Sequence, residues 1–377
     1  MPEVVELREV TDRRDVIHRA VHSLSAGELV ILPSEAGTVI AGFALNEDAS
    51  LRISSADSPS VLLLRSSDEI ADYLPHLAPV GFRFARRCWP GPLVLRTTSS
   101  PHPQGGFFSA LPRATQSTLI TDGEVSVRVS SHPVLSEVGK LLRGPLVIRE
   151  LSDIPTTAEE LAQPQWQHVG LVVKESGTAA QIPPPPSPSS TTTSTKTSIV
   201  RINADGWSPV RIGLLNENKL QVSACELIVF VCTGNTCRSP MAEALFRDML
   251  AKRLGCSVED LTKRGFVVAS AGLAADYGSP ASPESVEMMR RRGLDIRAHA
   301  SQPLTDRLLE QADRCYTLTN QHRNLILGGH PESADRVQVL ARDGKDISDP
   351  IGGGWNHYAA CAESIEQHLA KILDELV

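Results

Sequence analysis

An apolar run at 227–230 passes directly into Val231-Cys232-Thr233-Gly234-Asn235-Thr236-Cys237-Arg238-Ser239-Pro240, and then into Met241-Ala242-Glu243-Ala244-Leu245-Phe246. Nothing else in the chain constrains the fold as tightly. A buried strand runs into a tight loop, and the loop opens a helix. Backbone N–H groups of such a loop, with the positive end of the helix behind them, make a seat for a phosphate. The cysteine stands at the start of the loop, and the arginine lies beside the helix N-terminus. That order puts a thiolate under a phosphorus and a planar fork of donors around its oxygens. The stretch reads as a phosphatase loop.

Each residue of the loop has a plainer reading that must be weighed. A cysteine at a strand end is ordinarily a small buried side chain. The strand before Cys232 and the Ser-Pro after Arg238 select the nucleophile instead, with helix dipole and guanidinium both favouring the thiolate. Arg238 could be a surface ion-pair partner, but its place points it at the loop mouth, where it would bind two equatorial oxygens. Ser239 suits an N-cap and Pro240 a first helical position; hydrogen bonding of Ser239 to the departing thiolate remains a second role. Gly234 and Asn235 suit left-handed backbone. Thr233, Gly234, Asn235, Thr236, Cys237 and Ser239 are thus expected to surround the phosphate. Cys237 either packs the loop or forms a protective disulfide with Cys232 on oxidation. No second cysteine pair at ligand spacing accompanies it, so no metal is expected. A covalent route through phosphocysteine needs no cofactor. The chemistry does need an acid for the leaving group. Asp349, in the Pro/Gly-rich stretch Asp349-Pro350-Ile351-Gly352-Gly353-Gly354, is either that acid or an ordinary turn residue.

Downstream of the loop the pattern alternates. Strands are expected at 227–231, 266–270, 314–318 and 336–340, with helices at 240–254, 283–292, 305–311, 320–327 and 356–376. Such alternation predicts an α/β domain at 225–377, a parallel four-stranded sheet flanked by helices. Ligands of these sheets bind at the carboxyl ends of the strands, where the Cys232 loop lies.

Residues 227–377 resemble the low-molecular-weight protein-tyrosine-phosphatase family along their whole length. The matching pieces are the loop at 231–240, Ser270-Ala271-Gly272, Pro280-Ala281-Ser282-Pro283 and Asp349-Pro350. The resemblance implies Cys232 as nucleophile, Arg238 as phosphate clamp, Asp349 as general acid and a phosphorylated protein as substrate. Tyrosine-directed members carry adjacent tyrosines after the Asp-Pro, where this chain has Ile351-Gly352, with Trp355 and Tyr358 further on. Thr236, with the segment 278–283, resembles the bacterial protein-arginine-phosphatases. Its hydroxyl could accept a guanidinium N–H that an aliphatic side chain would leave unpaired. Phosphoarginine is therefore the favoured substrate and phosphotyrosine the alternative. Arsenate reduction occurs on the same fold but needs a relay of further cysteines. Cys315, on an expected buried strand, and Cys361, on the last helix, lack a close cysteine partner.

At 377 residues the chain can hold two cores. The first domain, 1–218, resembles a threonylcarbamoyl-AMP synthase domain, an open α/β fold. The pieces are Gly27-Glu28-Leu29-Val30-Ile31-Leu32-Pro33-Ser34-Glu35, Trp89-Pro90-Gly91-Pro92-Leu93 and Val127-Arg128-Val129-Ser130-Ser131-His132-Pro133. The departures matter more. A Lys-x-Arg pair that family members use for ATP phosphates has no counterpart at 53–64. The Ser-Ala-Asn element expected after Gly144-Pro145-Leu146-Val147 is replaced by Ile148-Arg149-Glu150-Leu151. The domain reads as a degenerate, non-catalytic module that could still hold a nucleotide or RNA; an active synthase is the alternative. The Pro/Ser/Thr-rich stretch 175–198 has too little apolar content to order itself. Strand-like 198–202 and 210–213 follow it, so it reads as a loop inside the first domain, with the boundary at 216–225.

A net charge of −7 calls for neither a nucleic-acid nor a membrane partner. No apolar run reaches membrane-spanning length, and Met1-Pro2-Glu3-Val4-Val5-Glu6 lacks the features of a secretory signal. Seven scattered cysteines do not form a disulfide framework. A nucleophilic thiol needs a reducing compartment, so the cytoplasm is expected.

Overall fold

The structure, a computed structural model, describes residues 2–55, 58–98, 106–152, 155, 158–175 and 195–376. It divides into two units, Met1–Ser223 and Ala224–Val377.

In the second unit the strand Glu226–Cys232 lies inside a four-stranded parallel sheet, ordered Phe266–Gly272, Glu226–Cys232, Arg314–Thr317, Val337–Val339. Its side chains alternate between two cores. Ile228, Phe230 and Cys232 pack against the helices Arg238–Leu254, Pro283–Arg291 and Gly354–Leu376, through residues such as Phe246, Met289 and Ile365. Val229 and Val231 face the opposite side, with Leu309 from Asp306–Gln311 and Ile326 from Asn320–Gly329. Helices on both faces explain why the run at 227–231 is apolar at every position rather than at alternate ones. The sheet matches the expected four-stranded parallel arrangement.

One boundary differs from the sequence reading. The helix after the loop starts at Arg238, with Cys237 at the cap position and no side-chain cap bond. Ser239 is therefore not the cap, and Pro240 stands third in the helix. Proline is tolerated there because N–H groups of the first turn have no intrahelical acceptor. The hydroxyl of Ser239 is released for other work.

The first unit carries a mixed, open sheet. Its order is Glu3–Glu6, Val169–Lys174, Leu29–Ser34, Gly37–Phe43, Leu146–Leu151, Val61–Leu63, Glu124–Arg128, Leu93–Thr98, Ser198–Asn203, Gly206–Arg211, with Ile120–Thr121 beside Glu124–Arg128. Val16, Ala20 and Leu24 of the helix Arg13–Ser25 and Val134, Leu135 and Val138 of Pro133–Leu141 pack against one face. Val169–Lys174 and Ser198–Asn203 both belong to this sheet. Most of the Pro/Ser/Thr-rich stretch between them, 176–194, lies outside the described residues. Among the described residues no helix is long and apolar enough to cross a membrane.

Candidate active site

The loop after Glu226–Cys232 is held from outside by its carbonyls. Those of Cys232 and Thr233 accept from the N–H groups of Leu273 (3.0 Å) and Ala274 (2.9 Å). The Asn235 carbonyl accepts from His299 Nε2 at 2.8 Å, and that of Thr236 from Ser282 N–H at 2.8 Å. With these oxygens turned outward, the loop N–H groups are left to converge over the Cys232 sulfur, the arrangement that binds anions. Asn235 N–H already points there, 3.3 Å from Sγ. Asn235 supplies the left-handed turn (φ 54°), whereas Gly234 does not adopt a positive φ. Gly272, on the adjacent strand, backs the loop closely. A Cβ there would stand 2.5 Å from the Thr233 carbonyl oxygen and 2.9 Å from Asn235 N.

A buried hydrogen-bond chain fixes the sulfur. Asn235, fully buried, donates through Nδ2 to Ser239 Oγ and to Ser270 Oγ, both at 2.9 Å. Ser270 in turn donates its hydroxyl hydrogen bond to Glu243 Oε2 at 2.7 Å. Having accepted from Asn235, Ser239 directs its hydroxyl proton to one of two places: Cys232 Sγ at 3.0 Å or the Ala271 carbonyl at a longer 3.4 Å. The sulfur lies nearer to that hydroxyl than the carbonyl does. Asn235 Oδ1 in turn accepts from Gln302 N–H at 2.9 Å.

Arg238 is 6% exposed, and its guanidinium bonds Asp349 Oδ2 and the Ile347 carbonyl, the latter at 3.3 Å. Clamp and acid candidates, 111 residues apart, are thus in contact, with Asp349 half-exposed at the rim. Thr236 is half-buried, and its hydroxyl lies 3.8 Å from the Cys237 sulfur. Cys237 lies 3.4 Å from the hydroxyl of buried Tyr358, which also meets Ser282. Trp355 is covered by the Arg291 guanidinium, 4.0 Å from the ring centre. All seven cysteines are free thiols. Cys361 shares the core that holds Cys232 and Cys237, but burial pushes its thiol up to about 12, and Cys315 likewise.

The sequence reading did not assign roles to Glu243, Ser270, His299, Gln302 or His322. They come from two helices, a strand and the segment holding His299 and Gln302, and only Ser270 carried a local signal, as the first residue of Ser270-Ala271-Gly272.

In the first unit, Glu35 follows Leu29–Ser34 and Arg128 ends Glu124–Arg128; they form a buried ion pair, 2.7 Å, with the arginine 1% exposed. Burial would raise the Glu35 carboxyl, but the Arg128 charge and bonds from Ser130 and Ser131 outweigh it and hold it low. Arg149 donates to the Ile53 carbonyl, and Glu150 pairs with Arg211.

Residues 227–377 match the family model described as low molecular weight phosphotyrosine protein phosphatase. Residues 22–211 match that of the Sua5, YciO and YrdC proteins, described as telomere recombination. A protein-arginine-phosphatase of Bacillus subtilis is 37% identical over 153 residues, 40% of this chain and 95% of that protein. One from Geobacillus stearothermophilus is 34% identical over 154 residues, with 40% and 95% covered. A probable low molecular weight protein-tyrosine-phosphatase of Ralstonia nicotianae is 38% identical over 141 residues, covering 37% and 88%.

Proposed function

Since residues 227–377 belong to the low molecular weight phosphotyrosine protein phosphatase family and residues 22–211 to the Sua5, YciO and YrdC family, we propose that this protein phosphatase works through a phosphocysteine and prefers phosphoarginine. The observation that carries the mechanism is the Cys232 sulfur, met by Ser239 Oγ at 3.0 Å and Asn235 N–H at 3.3 Å under a loop whose carbonyls face away. The thiolate attacks phosphorus, the S–P bond forms, and the bond to the leaving nitrogen or oxygen breaks. Asp349 delivers the proton that the leaving atom needs, then accepts one from the water that attacks the phosphocysteine. As the S–P bond breaks, the Ser239 hydroxyl and Asn235 N–H receive the returning charge. Arg238 releases Asp349 when a phosphate enters, because the dianion offers its fork two oxygens in place of one carboxylate contact.

Identity does not separate the substrates, since arginine- and tyrosine-directed relatives are equally similar. Thr236 supports phosphoarginine, as its hydroxyl is free to accept a guanidinium N–H. The aromatic candidates beyond Asp349 also favour this reading: Tyr358 is buried on Cys237, and Trp355 is engaged by Arg291. Phosphotyrosine hydrolysis is the alternative. Arsenate reduction is disfavoured, because thiols held near 12 supply almost no thiolate to a relay.

The first unit is proposed to be catalytically silent. Its buried arginine is neutralised by Glu35, and Arg149 and Glu150 hold other parts of the chain. A nucleotide or RNA remains its proposed ligand.

Selectivity is tested by assaying the parent protein and Thr236→Ile on phosphoarginine and phosphotyrosine peptides side by side. The isoleucine variant should lose about tenfold or more on phosphoarginine, the scale of one polar contact, and keep its phosphotyrosine activity. A parent that prefers phosphotyrosine, or an unchanged ratio in the variant, would leave the tyrosine reading standing.

A further inference from the structure

His322 lies in the first turn of the helix Asn320–Gly329, whose cap Thr319 accepts from its backbone N–H at 3.2 Å. The ring is buried, 6% exposed, and belongs to a helix whose Ile326 packs on the sheet face opposite Ile228, Phe230 and Cys232. Its Nε2 stands 2.9 Å from the hydroxyl of Thr233, the residue directly after Cys232. Its Nδ1 is buried with no hydrogen-bond partner among the described residues.

These facts fix the proton. Burial pushes the imidazole down, and the Arg238 charge pushes it further, against the opposing carboxylates of Asp346 and Asp349. The ring is therefore neutral near pH 7 and carries one proton. A buried N–H without an acceptor is costlier than a bare nitrogen lone pair. The proton accordingly sits on Nε2 and is donated to Thr233 Oγ. No other described group meets that hydroxyl, and Thr233 itself is exposed. Its own proton is then free for an anion at the loop mouth.

We propose that His322 is a positioning residue of the phosphate site, holding the Thr233 hydroxyl in the orientation that donates to the bound phosphoryl group. The imidazole touches neither substrate nor sulfur; it acts through Thr233. The proposal rests on the phosphatase reading of the Cys232 loop and adds a hydroxyl donor to it, alongside the backbone groups and Arg238.

The test is a double-mutant cycle on the full chain with His322→Leu, Thr233→Val and both together, plus His322→Gln, whose amide can place an N–H where Nε2 stands. Each single variant should raise KM and the inhibition constant of inorganic phosphate by about tenfold, and the double variant by no more than either alone. His322→Gln should recover to within about threefold of the parent. Multiplying effects, a loss confined to kcat with unchanged phosphate inhibition, or a glutamine variant as poor as the leucine one would overturn the assignment. So would single variants that match the parent. Thr233→Val and His322→Gln keep the test decisive if the leucine variant fails to fold. A parent that shows no turnover at all would instead count against the phosphatase reading itself.

Discussion

The Cys232 sulfur lies 3.0 Å from Ser239 Oγ and accepts from the Asn235 N–H at 3.3 Å. On the phosphocysteine proposal the attacking group is a thiolate, which a serine alcohol cannot replace. Cys232→Ser should abolish turnover, while chelation by EDTA should leave the parent unaffected; full activity in the serine variant would remove the cysteine from the mechanism. Asp349 plays a separable part. Asp349→Asn should slow substrates with poor leaving groups far more than aryl phosphates with good ones, since only the former need a proton. Equal slowing across leaving groups would move the acid elsewhere. The Cys232 loop was legible in the sequence as a strand-to-helix turn because its residues are consecutive. Spacing alone could not tell an acid from a turn residue at Asp349, and its contact with Arg238, 111 residues away, comes only from the fold.

At the scale of elements, the reading succeeded where burial imposes a pattern. Glu226–Cys232 is apolar on both faces because it has helices on both, and the strand and helix order follows from that. It failed where competing partners decide. Ser239 looked like a helix cap, but Asn235 and Cys232 claim its hydroxyl, and the helix begins a residue before it. Glu243, Ser270, His299 and Gln302 reach the loop through folding, so no spacing in the sequence could assign them. Gly272 is where an element meets the loop most closely. Gly272→Ala should lower kcat/KM by about a hundredfold, because its Cβ would displace Thr233 and Asn235 backbone by a fraction of an ångström in the site. Unchanged activity would show that the loop yields freely. The buried histidines predict a pH effect. Burial first, helped by Arg238 for His322 and by Lys371 for His368, holds both rings below the ordinary histidine range, against Asp346 and Asp349 for the one and Asp343 for the other. The unfolded chain takes up protons at about pH 6.5 that the fold refuses, so stability should fall as pH drops from about 7.5 to about 5.5. Carboxylates held low, such as Glu35, add their own loss only below about pH 4.5. Calorimetry should show the midpoint of the second unit falling over the histidine window, with a shallower slope in His368→Gln; an unchanged slope in that variant would remove His368 from the effect.

The whole molecule joins two α/β units of different descent, one with a mixed open sheet and one with a short parallel sheet. Full-length protein given ATP, threonine and bicarbonate should make no threonylcarbamoyl-adenylate. The ion pair of Glu35 and Arg128 spends a buried cation at its strand ends within the fold. Product formation that Arg128→Ala abolishes would show the first unit to be an active synthase. The central claim belongs to the second unit and is tested by trapping its intermediate. Full-length protein mixed with a phosphoarginine peptide and quenched in acid within the first turnover should carry one phosphoryl group, mapped by mass spectrometry to Cys232. Asp349→Asn, given instead an aryl phosphate whose leaving group needs no proton, is slowed only in the attack of water and should carry more of it. Turnover with a phosphoryl group on another residue, or with none trapped in either active form, would contradict the phosphocysteine account.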